Sequence, residues 1–234
     1  MRDIMYLALG DSIATGTLHN FARVTSYTEY LYHMLKRRGR RTRMVSLARD
    51  GDTSRELLYR LGQPWFQSWV RRADLITVSI GGNNVMRAAS IPGFTSVRVP
   101  QAEAGVGVFC SDWDKIIERL RTLNPGCTLV VMTVYNPYNH SRYLGGGYGA
   151  DRGMRELTER YLSRINGVIE SQCRGRYEIA DIHALFDRFA HGEMGRVANL
   201  YSPGLYLLRN PHPTVYGHRL IARAHADAIE GLLH

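Results

Sequence analysis

Short apolar runs alternate with longer stretches of helical period along most of this 234-residue chain, and few architectures accommodate that alternation. Tyr6–Gly10, Met44–Ala48, Ala73–Ile80, Thr128–Thr133 and Tyr177–Asp181 read as strands. The clearest is Ala73–Ile80, β-branched and closed by Gly81-Gly82-Asn83-Asn84. Between the strands lie amphipathic helices. Tyr27, Tyr30, Leu31, Met34 and Leu35 share a face behind the capping box Ser26–Glu29, and Leu57, Leu58 and Leu61 follow a second box at Thr53–Glu56. Further helices are expected from Trp113 to Leu123, from Met154 to near Gly175, over 184–189 and from Val215 onward. Strands that alternate with helices cannot pair as hairpins, so the expected fold is α/β, a parallel sheet covered on both faces. One domain spanning residues 1–234 is expected, since no linker, repeat or low-complexity tract interrupts the pattern. Residues 87–109 show no sustained period and read as a long loop, as do the tyrosine-rich segment 135–148 and residues 191–208.

Composition narrows the function classes. Lys and Arg outnumber Asp and Glu by 30 to 21, a net charge of +9. The densest basic run, residues 36–43, falls where a helix should end, and cations there complement the helix dipole. With no stacking platform or DNA-binding motif beside it, nucleic acid is not an expected partner, and weak attraction to anionic lipid is the most the charge implies. Cys110, Cys127 and Cys173 are odd in number and widely spaced, so they read as reduced thiols without a metal site. The first strand begins too early for a secretory leader, and no apolar run approaches the roughly 20 residues that span a bilayer. A cytoplasmic monomer or homodimer is the expectation.

The first strand stops abruptly at Gly10-Asp11-Ser12, which leaves one hydroxyl at the carboxyl end of a strand, where ligands sit in open α/β sheets. Read alone, that serine is either a nucleophile or a capping residue. Asp11 adjoins it but points to the opposite face, and has a turn-stabilising role. In a parallel sheet the turns after successive strands converge on one edge, which gathers Ser12, Gly51, Asn83 and the segment leading into the last helix. A serine nucleophile needs a base and donors for the oxyanion. The candidate donors are the Ser12 N–H, the Gly51 N–H and the Asn83 amide, and the candidate base is His212. His218, further into the helix, reads as a packing residue.

These residues, in this order, resemble the SGNH (GDSL) hydrolase family of esterases and lipases. Gly10-Asp11-Ser12 is similar to its first block, Ala48–Thr53 to its glycine block, Gly81–Asn84 to its Gly-x-Asn-Asp block, and His212-Pro213-Thr214 with Gly217-His218 to its last. The resemblance covers residues 4 to about 230 and is nearest to the bacterial lysophospholipase-like and spore-germination-lipase-like branch. It implies a flavodoxin-like three-layer sandwich with a five-stranded sheet, and hydrolysis of carboxylic esters or thioesters through an acyl-enzyme on Ser12. No metal or organic cofactor is implied, and the expected partner is a small acyl ester. Two positions depart from the family pattern. Asn84 replaces the usual Asp of the third block, and Arg209 stands where Asp-x-x-His would place the acid, with Asn210 beside it. Losing that acid can cost about 10⁴-fold in turnover where nothing replaces it. The expected replacement is the Arg209 main-chain carbonyl, which could fix the same imidazole tautomer. Asp181 and Asp187 lie off the motif position. A carbohydrate O-deacetylase using the same residues, or a degenerate fold kept for ligand binding, are the alternatives.

Overall fold

The computed structural model describes residues 3–18, 22–37, 41–89, 96–138, 149–190, 193–201 and 210–230. Its centre is a parallel sheet in the order β2-β1-β3-β4-β5. The strands are β1 (Ile4–Gly10), β2 (Thr42–Ser46), β3 (Leu75–Ser79), β4 (Thr128–Met132) and β5 (Glu178–Ala180). This is the flavodoxin-like order, and the chain runs outward to β2 before crossing back to β3 on the other side of β1. Ligands of such sheets bind in the crevice where the direction reverses, beyond the carboxyl ends of β1 and β3.

Alternation along each strand divides the apolar residues between two helical layers. Leu7, Leu9, Ile76, Val78, Leu129 and Val131 point into one core, packed under α3 (Ser54–Leu61), α4 (Pro64–Val70), α6 (Val99–Leu123) and α7 (Gly149–Ser171). Tyr6, Ala8, Leu75, Val130 and Met132 point into the other, closed by α2 (Tyr27–Arg37), α8 (Ile182–Asp187) and α9 (Val215–Ala228). Two short helices sit on the carboxyl edge itself, α1 (Ser12–Thr15) and α5 (Gly82–Met86). Both expected capping boxes form: Glu29 accepts the Ser26 N–H at 2.7 Å, and Glu56 accepts the Thr53 N–H at 2.8 Å. No described helix is long and apolar enough to cross a membrane.

The structure corrects the sequence reading at three places. The long loop expected over 87–109 is helical from Val99, and α6 runs 25 residues. Ala102, Val106, Phe109, Trp113, Ile116, Ile117 and Leu120 all lie buried along it, a helical stripe whose small first members and interspersed Gly105 and Gly107 hide the period. Gly105 is there for contact: a Cβ at that position would stand 1.8 Å from the Asn84 carbonyl oxygen, so α5 and α6 touch through backbone. The helix α4 also escaped the sequence reading, although Pro64 at its first turn is a recognised start signal. Finally, β2 begins at Thr42, ahead of the apolar run, because an edge strand is only partly buried.

Candidate active site

The carboxyl end of β1 is shaped by a close approach to β3. Gly10 has φ +139°, and a Cβ there would lie 2.2 Å from the Ser79 carbonyl oxygen, so only glycine permits the two strands to end together. Asp11 follows, donating its N–H to that Ser79 oxygen at 3.0 Å and accepting the Ile13 N–H on Oδ1 at 3.0 Å. Its carboxylate thus caps α1, which is the turn-stabilising role expected of it, and burial pushes its carboxyl up to about 7. Ser12 opens α1 at the floor of the crevice.

The segment between β5 and α9 brings the histidine to this serine. His212 Nε2 lies 2.8 Å from Ser12 Oγ, although the two residues are 200 positions apart. Three other side chains fix the loop that carries it. Asn199 donates its amide to the His212 and Pro213 carbonyls at 3.0 and 2.9 Å. The Tyr135 hydroxyl, at the end of β4, donates to the Pro211 carbonyl at 2.5 Å. Asn210 Oδ1 lies 3.0 Å from both the backbone nitrogen and the Nδ1 of His212. Thr214 then caps α9 by accepting the Gly217 N–H at 3.0 Å.

The β3 and β2 turns complete the arrangement. Asn83 Nδ2 donates one of its two hydrogens to the Asp52 carbonyl at 2.9 Å, and Asn83 lines a cavity beside Ser12. Gly51 has φ +78° at the tip of the neighbouring turn, where left-handed backbone favours glycine. That turn is fastened from both sides. Thr17 donates to the Asp50 carboxylate at 2.7 Å, joined there by Thr15, while Arg87 donates to the Gly51 carbonyl at 2.8 Å and pairs with Glu56 at 3.0 Å. Beside Ser12 opens a cavity of about 60 Å³ whose polar end is Asp11, Ser12, Asn83 and His212. Its walls are apolar: Val85 and Met86 of α5, Val134 and Pro137 after β4, and Leu162 of α7.

The crevice therefore gathers a hydroxyl, an imidazole in contact with it, an amide donor and an apolar pocket. A family model described as the GDSL-like lipase/acylhydrolase family matches residues 8–220. The chain belongs to that family. Among curated proteins, this GDSL-family chain is 26% identical over 189 residues to an uncharacterised protein of Bacillus subtilis, YpmR. The match takes in 78% of the chain and 65% of YpmR, so the chain spans just under two-thirds of that relative's length. Solved structures sharing the fold include an extracellular lipase from Streptomyces rimosus, with a TM-score of 0.73, 19% identity and coverage of 96% of this chain and 99% of that one. An acetyl xylan esterase from Geobacillus stearothermophilus superposes with a TM-score of 0.66 at 19% identity, covering 97% of this chain and 94% of that one. Phospholipase A1 from Streptomyces albidoflavus gives 0.67 at 19% identity, covering 96% and 98%.

Within the GDSL-family crevice, Ser12, Asn83 and His212 line one cavity, whereas Gly51 stands on an adjoining turn and does not line it. Arg209, whose main-chain carbonyl was the expected partner of His212, lies outside the described residues. Asp181 and Asp187 are engaged elsewhere: Asp181 accepts from Thr133 Oγ1 and Ala184 N, and Asp187 stands 3.9 Å from His183 Nδ1. His218 is buried, accepts the Tyr27 N–H on Nδ1 at 3.2 Å and is pushed down to about 4 by burial, then by the proximity of His212. It packs, as expected. Asn84 shows why this chain departs from the usual Asp: its amide donates to Ser54 Oγ and to the Gly105 carbonyl at 2.9 and 3.1 Å, which a carboxylate could not do. The sequence reading assigned no contact with His212 or its loop to Asn210, Tyr135 or Asn199. Only the first leaves a trace in the sequence, because Asn-Pro is a turn-initiating pair two residues before the histidine. Among the described residues, no group of three or more His, Cys, Asp and Glu is placed to hold a metal ion.

Proposed function

We propose that this GDSL-family chain is a serine esterase that hydrolyses carboxylic esters or thioesters through an acyl-enzyme, within one domain. The observation that carries this reading is the 2.8 Å contact between Ser12 Oγ and His212 Nε2. As Ser12 Oγ attacks the acyl carbonyl, its proton passes to His212 Nε2, which then delivers it to the departing alcohol or thiol. The Ser12 N–H and the second Asn83 amide hydrogen stabilise the oxyanion, without Gly51, which stands off the cavity. Water activated by the same histidine releases the acid and restores the serine.

The apolar walls formed by Val85, Met86 and Leu162 suit an alkyl acyl chain, which favours lipid-type esters, lysophospholipids among them, over acetylated sugars. Hydrolysis of p-nitrophenyl acetate, p-nitrophenyl octanoate and a lysophospholipid by the wild type and by Ser12→Ala tests both statements. The expected result is turnover that rises from acetyl to octanoyl and disappears in Ser12→Ala, together with loss of labelling by a serine-directed fluorophosphonate. Preference for acetylated oligosaccharide would replace the lipid reading by O-deacetylation. A folded wild type with neither turnover nor labelling would mean a ligand-binding module.

A further inference from the structure

We propose that Asn210 is the positioning residue of His212, its carboxamide oxygen holding the imidazole in the tautomer that leaves Nε2 free to take the Ser12 proton. The inference rests on the Ser12–His212 reading above. The His212 backbone N–H lies 3.0 Å from the Asn210 side-chain oxygen. A backbone N–H only donates, so it is the oxygen of the amide that faces it, and the amide cannot be turned the other way round. That same oxygen lies 3.0 Å from His212 Nδ1. Carrying no hydrogen, it accepts, so in the neutral ring the proton is on Nδ1. Nε2 then presents its lone pair to Ser12 Oγ at 2.8 Å, the arrangement proton transfer requires. Asn210 is only 5% exposed, which keeps water from competing for the oxygen.

The orienting group thus stands one residue closer to the histidine than in the family's Asp-x-x-His, and it is uncharged. A carboxamide fixes the ring but gives the imidazolium no counter-charge when the proton arrives. Three other titratable groups among the described residues stand near His212. Asp11 shares the cavity from the β1 end, and burial favours its neutral form; Tyr135 reaches in from β4 with its hydroxyl committed to Pro211; His218 faces it from α9 and stays neutral.

Two substitutions separate this role from that of a turn former. Asn210→Asp keeps an acceptor for the backbone N–H and changes only the charge beside Nδ1. Its acid limb of kcat/KM is expected to move to higher pH by about one unit or more, the usual effect of an opposite charge in direct contact. Asn210→Ala is expected to lower kcat by about 10²-fold with KM nearly unchanged, the size of loss a small misplacement of a reacting group produces. Fluorophosphonate labelling should slow in parallel. If Asn210→Ala folds and keeps the wild-type kcat and labelling rate, Asn210 only closes the turn and the proposal fails, even if the Asp variant shifts the limb as any nearby charge would. Nitrogen-15 spectra of histidine-labelled wild type supply an arm that needs no stable Asn210 variant. They should show His212 protonated on Nδ1 in the neutral ring, and the Nε2 tautomer would overturn the proposal. Failure of the underlying reading looks different: wild-type protein that is neither labelled nor active.

Discussion

Asp11 and Asn83 show how much of this crevice depends on single polar groups with two tasks each. Asp11 caps α1 with a carboxyl that burial lifts to about 7 from an ordinary carboxylate value near 4. Because the folded value is the higher one, the contribution to stability is fully present below about pH 4 and is lost as pH rises through about 7. Asp11→Asn keeps an acceptor for the Ile13 N–H and removes the ionisation. Urea midpoints measured from pH 4 to 8 should show the variant gaining on the wild type as pH rises, most above pH 7. Equal pH dependence in the two proteins would mean that Asp11 ionises without cost. Asn83 both ties down the Asp52 carbonyl and, on the proposed mechanism, faces the oxyanion. Asn83→Ala should lower kcat by about 10²- to 10³-fold with KM little changed, as for other donors of this kind. A change confined to stability would assign Asn83 to the turn alone.

Elements matter here as carriers of those groups, and the contact of α5 with α6 is the tightest example. Asn83 and Asn84 sit on α5, and the Asn84 backbone rests on Gly105 so closely that a methyl group there would overlap it. Gly105→Ala must separate the two helices or shift α5, at a cost of about 1–3 kcal/mol for overpacking. A lower urea midpoint at unchanged m-value, together with a fall in kcat, is the expected pair of results. Stability lost without any loss of kcat would show that α5 holds its place independently of α6. This helix pair also marks where the sequence was legible and where it was not. Motif blocks and strand ends announced Ser12, Asn83 and His212 because local turn chemistry is written in adjacent residues. The start of α6 was not readable, since Gly105, placed for its contact with Asn84, and Gly107 break the pattern that propensity reasoning relies on. The contacts of Asn199 and Tyr135 with the His212 loop were unreadable because they join residues 13 and 76 positions apart. Tyr135→Phe, which removes only the hydroxyl bonded to Pro211, should reduce kcat without altering the fold, as followed by circular dichroism.

For the whole molecule, the layer formed by α2 and α9 makes one contribution to the response to acid. His218 and His225 are both buried there and both pushed down to about 4, mainly by burial, while His225 stacks on Tyr27 at 4.7 Å. Their folded values lie below the unfolded 6.5, so the stability they secure is present above about pH 6.5 and is lost as pH falls through about 4. Asp11, Asp52 and His183, whose values are raised, work in the opposite direction over parts of that window, so the two imidazoles supply one component of the slope, a fall in stability towards acid. Replacing His225 by Asn should flatten that slope even if it lowers the midpoint throughout, and an unchanged slope would remove His225 from the account.

The 200 positions between Ser12 and His212 have a consequence in time as well as in space. A ribosome adding about 5–20 residues per second makes the serine some 10–40 s before its histidine. Until α9 emerges and docks on α2, where His218 receives the Tyr27 N–H, the proposed nucleophile is an ordinary alcohol. On the proposed mechanism, the nascent polypeptide therefore carries its reactive group disarmed while those 200 residues are made.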